Sequence, residues 1–193
     1  MGNREDLLAG ALTCLKERGW ARTTVRDIAA AAGVSHAAIG YHFGSREALL
    51  LAAYVQAMDE WGVEMNKAVA AAASRGASRK EQYAALWDEL ARSVRGENRQ
   101  VWLASVEAST VAQHNPQVHE LLTSAMREGR RGLAAGLMEI PEDSVDDELE
   151  RQIGAVQMAL VSGLMFQWLF TAEHAPTGAD VVAGLEALVG KIG

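Results

Sequence analysis

The chain has one cysteine, three prolines, few aromatic residues (6%) and no excess of positive charge. Each shortage excludes something. Cys14 alone closes no intrachain disulfide, and it lies on the apolar side of the first helical pattern, where it reads as a small core residue and not a redox sensor. Pro116, Pro141 and Pro176 all lie beyond residue 110, each where a helical pattern stops or starts. With alanine abundant and β-branched runs few, composition points to an all-α protein. The net charge of −7 argues against a ligand-independent architectural DNA binder, which leans on strong positive charge and minor-groove wedges. Catalytic signatures are missing too: no G-x-S-x-G, H-E-x-x-H, C-x-x-C or G-x-G-x-x-G occurs. A near miss to a phosphate loop at 184–191 has its glycines at the wrong spacing. His114 and His119 flank Pro116, which breaks the register a metal pair would want. No metal site and no cofactor are expected, and a small helical enzyme is the alternative that nothing positive supports.

Hydrophobic residues make up 49% of the 193 positions, enough for a sizeable core. The charge is uneven. Residues 1–50 hold six cationic and five acidic side chains, a net of +1, which leaves −8 for the rest. The acidity is kept out of the segment best suited to meet phosphate. The charged segment GNRED directly after Met1 reads against a secretory leader. The most apolar stretch, 153–170, contains Gln157 and Gln167 and reads as a buried helix, not a membrane span. The cytoplasm is the expected location, with no membrane partner.

Helical periodicity predicts a first helix over 4–18, with Leu8, Leu12 and Leu15 on one face and Gly19 as its left-handed stop. Thr24 caps a short second helix, with Asp27 three residues on as a variant of the capping box. Gly33 interrupts. Ser35 caps a third helix that ends near Phe43, and Ser45 caps a fourth running from Arg46 to about Ala73. Further helices are expected near 79–95, 97–113, 116–139, 146–173 and 179–192, about nine in all.

The segment Thr23–Leu50, TTVRDIAAAAGVSHAAIGYHFGSREALL, carries the most information. Two short helices that cross steeply need a small residue at the crossing, here Ala29, and a turn residue tolerant of positive φ, here Gly33. Val34 and Ile39 fit as apolar pins after the turn, and Ile28 and Phe43 would close the miniature core. That is the pattern of a helix-turn-helix. Thr24, Ser35 and Ser45 each begin a helix whose N-terminus can face phosphate. His36, Ala37 and Tyr41 lie on the outer face of the second member as base-reading candidates, Ala37 suited to a thymine methyl. Arg26 suits either the DNA backbone or solvent. His42 is open to a structural role, and Tyr41 to a place in the core.

The pieces T-T-V-R-D-I-A at 23–29, A-G-V-S at 32–35, Y-H-F at 41–43 and S-R-E-A-L at 45–49 resemble the DNA-binding domain of the tetracycline-repressor (TetR) family. The resemblance covers roughly the first 50 residues. It implies an all-α fold: an N-terminal three-helix DNA-binding domain (1–48) joined by a long helix to a helical ligand-binding and dimerisation domain (49–193). It implies phosphate contacts for Tyr41, His42 and Arg46. Two departures stand out. Gly40 replaces an aromatic common in the family, and Arg46 replaces a lysine, keeping the charge and adding a fork.

The same resemblance implies a transcriptional regulator, a repressor released from a pseudo-palindromic operator by a small effector. Its partners would be double-stranded operator DNA, a second copy of the chain through the last two long helices, and an unidentified small molecule. Ala155, Ala159 and Gly163 form a small-residue stripe, and Val181, Leu185, Leu188 and Ile192 a narrow apolar seam; both suit either a dimer face or core packing within one chain. Trp61, Met65, Trp87, Trp102, Met126, Met165 and Trp168 suit an apolar pocket with Ser105 as a polar contact, or plain core. That bias favours an apolar or aromatic effector over a sugar.

Overall fold

The computed structural model describes residues 3–171 and 173–193. Among them are nine α-helices and no strand: α1 (Asn3–Arg18), α2 (Val25–Ala32), α3 (Ala37–Phe43), α4 (Arg46–Ser74), α5 (Arg79–Arg95), α6 (Arg99–Ala112), α7 (Pro116–Met138), α8 (Asp147–Phe170) and α9 (Gly178–Ile192). The expected end of α8 at 173 runs past Ala172, which lies outside the described residues; the helix stops at Phe170. A 3-10 turn at Glu142–Ser144 and a π turn at Glu150–Gly154 inside α8 were not legible as such from periodicity.

Local chemistry explains most boundaries. Thr24, Ser78 and Thr177 each accept the backbone N–H three residues on, while Asp27, Glu81 and Asp180 reach back to the cap. These three carboxyls are held below their ordinary range chiefly by the hydroxyl bond from the cap residue. Gly33 stops α2 in the left-handed region, with φ of 67°. Asn115 caps α7 through its side chain, and Pro116 takes the first helical position, where a missing N–H is harmless.

The chain packs as two compact units. One holds the chain up to Asp59 together with 98–158; the other holds Glu60–Glu97 and Ala159–Gly193. These units describe packing and leave the expected functional division at residue 48 aside; α6 and α7 pack in the unit that contains α1 to α3.

The first unit is built on Leu7, Ala11, Leu15, Ile28, Leu49, Leu50, Val101, Ala104 and Ala108, all buried, with Cys14 among them. Burial pushes the Cys14 thiol pKa up, as a core position requires. Gly10 is the close-approach point of α1 and α2: a Cβ there would stand 2.9 Å from the Ala32 backbone nitrogen. The small residue of this crossing is Gly10, a role the sequence pattern did not reveal. Farther along, the buried Glu150 of the π turn pairs with Arg127 (3.3 Å) and Arg130 (3.1 Å) of α7. Gly154 lets the α7 backbone at Arg130 lie directly against that turn.

The second unit centres on Trp87 and Trp168, both fully buried, with ring centroids 6.5 Å apart. Tyr83 meets Trp87 edge-on, and the Trp168 indole N–H donates to the Pro176 carbonyl at 2.9 Å. Gly178 sits where a Cβ would collide with the Ala84 carbonyl, and its N–H donates to Asp88 at 2.7 Å. These contacts seat the start of α9 on α5.

Candidate nucleic-acid interface

Helices α2 and α3 form the expected pair. The turn between them is closed by the Val34 N–H on the Ala29 carbonyl (3.1 Å) and by Gly33 on the same turn of α2. Ile28, Ala29 and Ile39 are buried beneath it, and Val34 and Phe43 pack at the edge. The helix opens one residue later than its expected cap. Ala38 and Ile39 donate to the carbonyls of Ser35 and His36, and the position ahead of the helix is His36, which makes no side-chain cap.

With the apolar side turned down, the outer side of α3 carries His36, Ala37, Gly40 and Tyr41, all exposed. Tyr41 is 85% exposed, so a core role for it is excluded. His42 is half-buried and meets the Tyr41 ring edge-on at 4.9 Å. Ser35 and Arg26 are exposed beside this face. At Gly40 an added Cβ would meet nothing within 4 Å, so packing inside the chain does not require a glycine there.

Three residues expected to contact DNA have polar partners inside the chain. Arg46, expected on phosphate, folds inward: its Nε donates to the Thr23 carbonyl and one terminal nitrogen to the Trp20 carbonyl, while the other pairs with Glu47 at 2.8 Å. Arginine at this position clamps the start of α4 to the α1–α2 turn, which a lysine, lacking the fork, would not do with one head group. Ser45 caps α4 as expected, accepting the Ala48 N–H, but its own proton goes to Gln117 at 3.2 Å and not to an outside anion. Thr24 likewise donates its hydroxyl proton to Asp27 at 2.7 Å, and the Asp27 carboxylate already occupies the N-terminus of α2. A second anion there would meet repulsion.

Two neighbours of the site were missed in the sequence. Arg4 lies with its guanidinium 5.0 Å from the centre of the Phe43 ring. Gln117, from the first turn of α7, donates to the Phe43 carbonyl at 3.2 Å. No local motif marks either, because both act at a distance in sequence.

The residues expected to line an effector pocket fall into different units. Trp61, Met65, Trp87, Met165 and Trp168 lie in the second; Met65, Trp87, Met165 and Trp168 are buried, and Trp61 is half-buried. The Trp87 indole N–H is buried with no hydrogen-bond acceptor. Trp102 and Ser105 lie in the first, where Ser105 donates to the Trp102 carbonyl at 2.7 Å and also bonds Tyr54. Burial pushes the Tyr54 phenol up to about 12, against the smaller opposing effect of the Ser105 bond. Met126, also in the first unit, stands 43% exposed on α7. Among the described residues no group of His, Cys, Asp and Glu gathers as metal ligands.

Comparison with known proteins agrees with this geometry. The family model described as bacterial regulatory proteins, tetR family, matches residues 7–53. The HTH-type transcriptional repressor AcnR of Corynebacterium efficiens is 42% identical over 52 residues, 27% of this chain and 28% of that protein. The match therefore spans little more than a quarter of that relative's length. A transcriptional regulator of Streptomyces coelicolor A3(2) is similar over nearly the whole chain, with a TM-score of 0.62, 25% identity, and coverage of 94% of this chain and 95% of the other. The multidrug binding protein EbrR, solved in complex with imidazole, shares the fold with a TM-score of 0.63 at 21% identity, covering 96% of this chain and 95% of its own.

Proposed function

We propose that this chain, whose residues 7–53 match the tetR family of bacterial regulatory proteins, is a sequence-specific DNA-binding repressor that leaves its operator when a small molecule binds. The observation that carries this reading is the outer face of α3: exposed polar and aromatic side chains on a helix whose other side is packed into a buried core. His36, Ala37 and Tyr41 read base edges, and Arg26, Ser35 and His42 meet the backbone. Selection of binding sites from random duplexes by the purified chain tests it. The expected result is a pseudo-palindrome whose consensus shifts in His36→Ala; recovery of no consensus overturns the reading.

Two recognition helices on successive major grooves require a second copy. The support is the uncovered apolar surface at the end of the chain. Phe166 and Phe170 are exposed and stacked on each other, beside exposed Ala159 and Gly163; on α9 the exposed apolar residues are Leu188, Val189 and Ile192. Val181, at the start of the expected seam, is buried within its own unit, so the dimer face takes the later residues of α9. Helix α8 is long and apolar enough to cross a membrane by composition, but a second copy is the partner that also explains the small residues on its outer side. A location in the cytoplasm follows from DNA as the ligand.

For the effector, the second unit offers Trp61, Met65, Trp87, Met165 and Trp168, an adaptable apolar set with one buried indole N–H in want of an acceptor. An apolar or aromatic molecule carrying one acceptor oxygen or nitrogen matches it. EbrR, a multidrug binding protein solved with imidazole, shows that this fold can hold small molecules. A true effector quenches tryptophan emission and releases DNA; a compound doing only the first is no inducer.

A further inference from the structure

We infer that Gln117 is a positioning residue for the recognition helix, tying the first turn of α7 to the junction between α3 and α4. This rests on the DNA-binding reading above and adds a second connection to the head besides the continuous helix α4. Three observations meet at one side chain. The Gln117 amide donates to the Phe43 carbonyl at 3.2 Å, at the last residue of α3. Its carbonyl accepts the Ser45 hydroxyl at 3.2 Å, and that same hydroxyl caps α4 through the Ala48 N–H. Between these two anchor points lies Gly44, with φ of 79°, where an added Cβ would stand 3.0 Å from the Gln117 amide nitrogen. Gln117 thus lies across a left-handed turn and bonds both of its flanks.

The chemistry suits the role. The carbonyl of a helix's last residue has no intrahelical donor, and α3 has only seven residues to hold its angle. A primary amide supplies one donor and one acceptor in a fixed plane, so it bonds the end of one helix and the start of the next together. The α7 end is itself held: Asn115 caps it, and Val118 beside Gln117 is fully buried in the same core as Ile39 and Leu49. A shift of α7 that moved Gln117 by about an ångström would break bonds already at 3.2 Å and free the α3–α4 turn.

The test compares the full chain with Gln117→Ala and Gln117→Glu, the latter keeping the acceptor for Ser45 and losing the donor. Gln117 is exposed, so neither change empties the core. Amide hydrogen exchange without DNA is read at Gly44 and Ala48, and affinity is read on the duplex selected by the wild-type chain. The expectation for Gln117→Ala is exchange about 10-fold faster at both amides and affinity about 10-fold weaker, with the thermal midpoint unchanged and Gln117→Glu in between. Unchanged exchange overturns the inference, whether or not affinity falls, and so does faster exchange with full affinity. If the wild-type chain selects no duplex, the regulator reading fails, while the exchange arm still reports whether the tie exists.

Discussion

Helix α3 and the end of the chain both leave side chains uncovered, but of opposite kinds. On α3 the exposed groups are His36, Tyr41 and, beside them, Arg26, each able to donate a hydrogen bond, above a buried apolar base. On α8 and α9 they are Phe166, Phe170, Leu188 and Ile192, with no polar group of their own. Water satisfies the first set until a polyanion with base edges replaces it. The second set offers water no hydrogen bond and gains by meeting an apolar surface. On the proposed function, the contrast separates a wet face suited to DNA from a dry one suited to a second copy.

Substitutions can attack each side of this contrast. Changing Phe166 and Phe170 together to Glu is expected to leave a folded monomer in sedimentation experiments and to weaken operator binding on the order of 100-fold or more, since two linked heads lose their avidity; a dimer of wild-type affinity would refute the dry interface. Arg46→Ala is expected to cost about 3 kcal/mol of stability, by leaving the buried carbonyl partners of a charged donor unmet. In chemical denaturation that loss should appear while the salt dependence of DNA binding keeps its slope; a slope reduced by about one would return Arg46 to the phosphate contacts.

Glycine-to-alanine changes refine the picture at smaller scale. At Gly10 the added methyl meets the Ala32 backbone, and a loss of about 1–3 kcal/mol is expected in thermal unfolding. At Gly40 it meets open space, so the free protein gains about 0.5–1 kcal/mol. Weaker operator binding by that more stable variant would identify Gly40 as a point where DNA comes close to the helix backbone. The smallest effect concerns acid. Asp27, Glu81 and Asp180 are held below their ordinary values of 3.8, 4.5 and 3.8 by their cap bonds. Their stabilisation is complete above those values and fades as pH falls through the lower values of the folded state. Thr24→Ala should flatten that acid limb slightly; an unaltered limb would mean that the cap does not hold the carboxylate.

Most helix boundaries were legible because caps, stops and apolar spacing act within four residues. The helices expected near 79–95 and 116–139 appear as Arg79–Arg95 and Pro116–Met138, with caps at Ser78 and Asn115. The α3 start was misjudged by one cap position, where 3-10 bonds to Ser35 and His36 take over from a side-chain cap. The residues on the outer face of α3 were legible for the same reason as the helix: periodicity says which side is apolar, and so which is not.

Arg46, Ser45 and Gln117 lay beyond that reach. Residue type and spacing determined that there would be about nine helices, a turn at Gly33 and a polar face on α3. Only the folded chain decided that a guanidinium at 46 turns toward carbonyls 23 and 26 residues earlier, and that a glutamine 74 residues after Phe43 bonds its carbonyl. The physical reason is range: a helix cap is chosen by atoms a turn away, whereas a long polar side chain goes to whichever unsatisfied group the packing of distant helices brings within hydrogen-bonding distance.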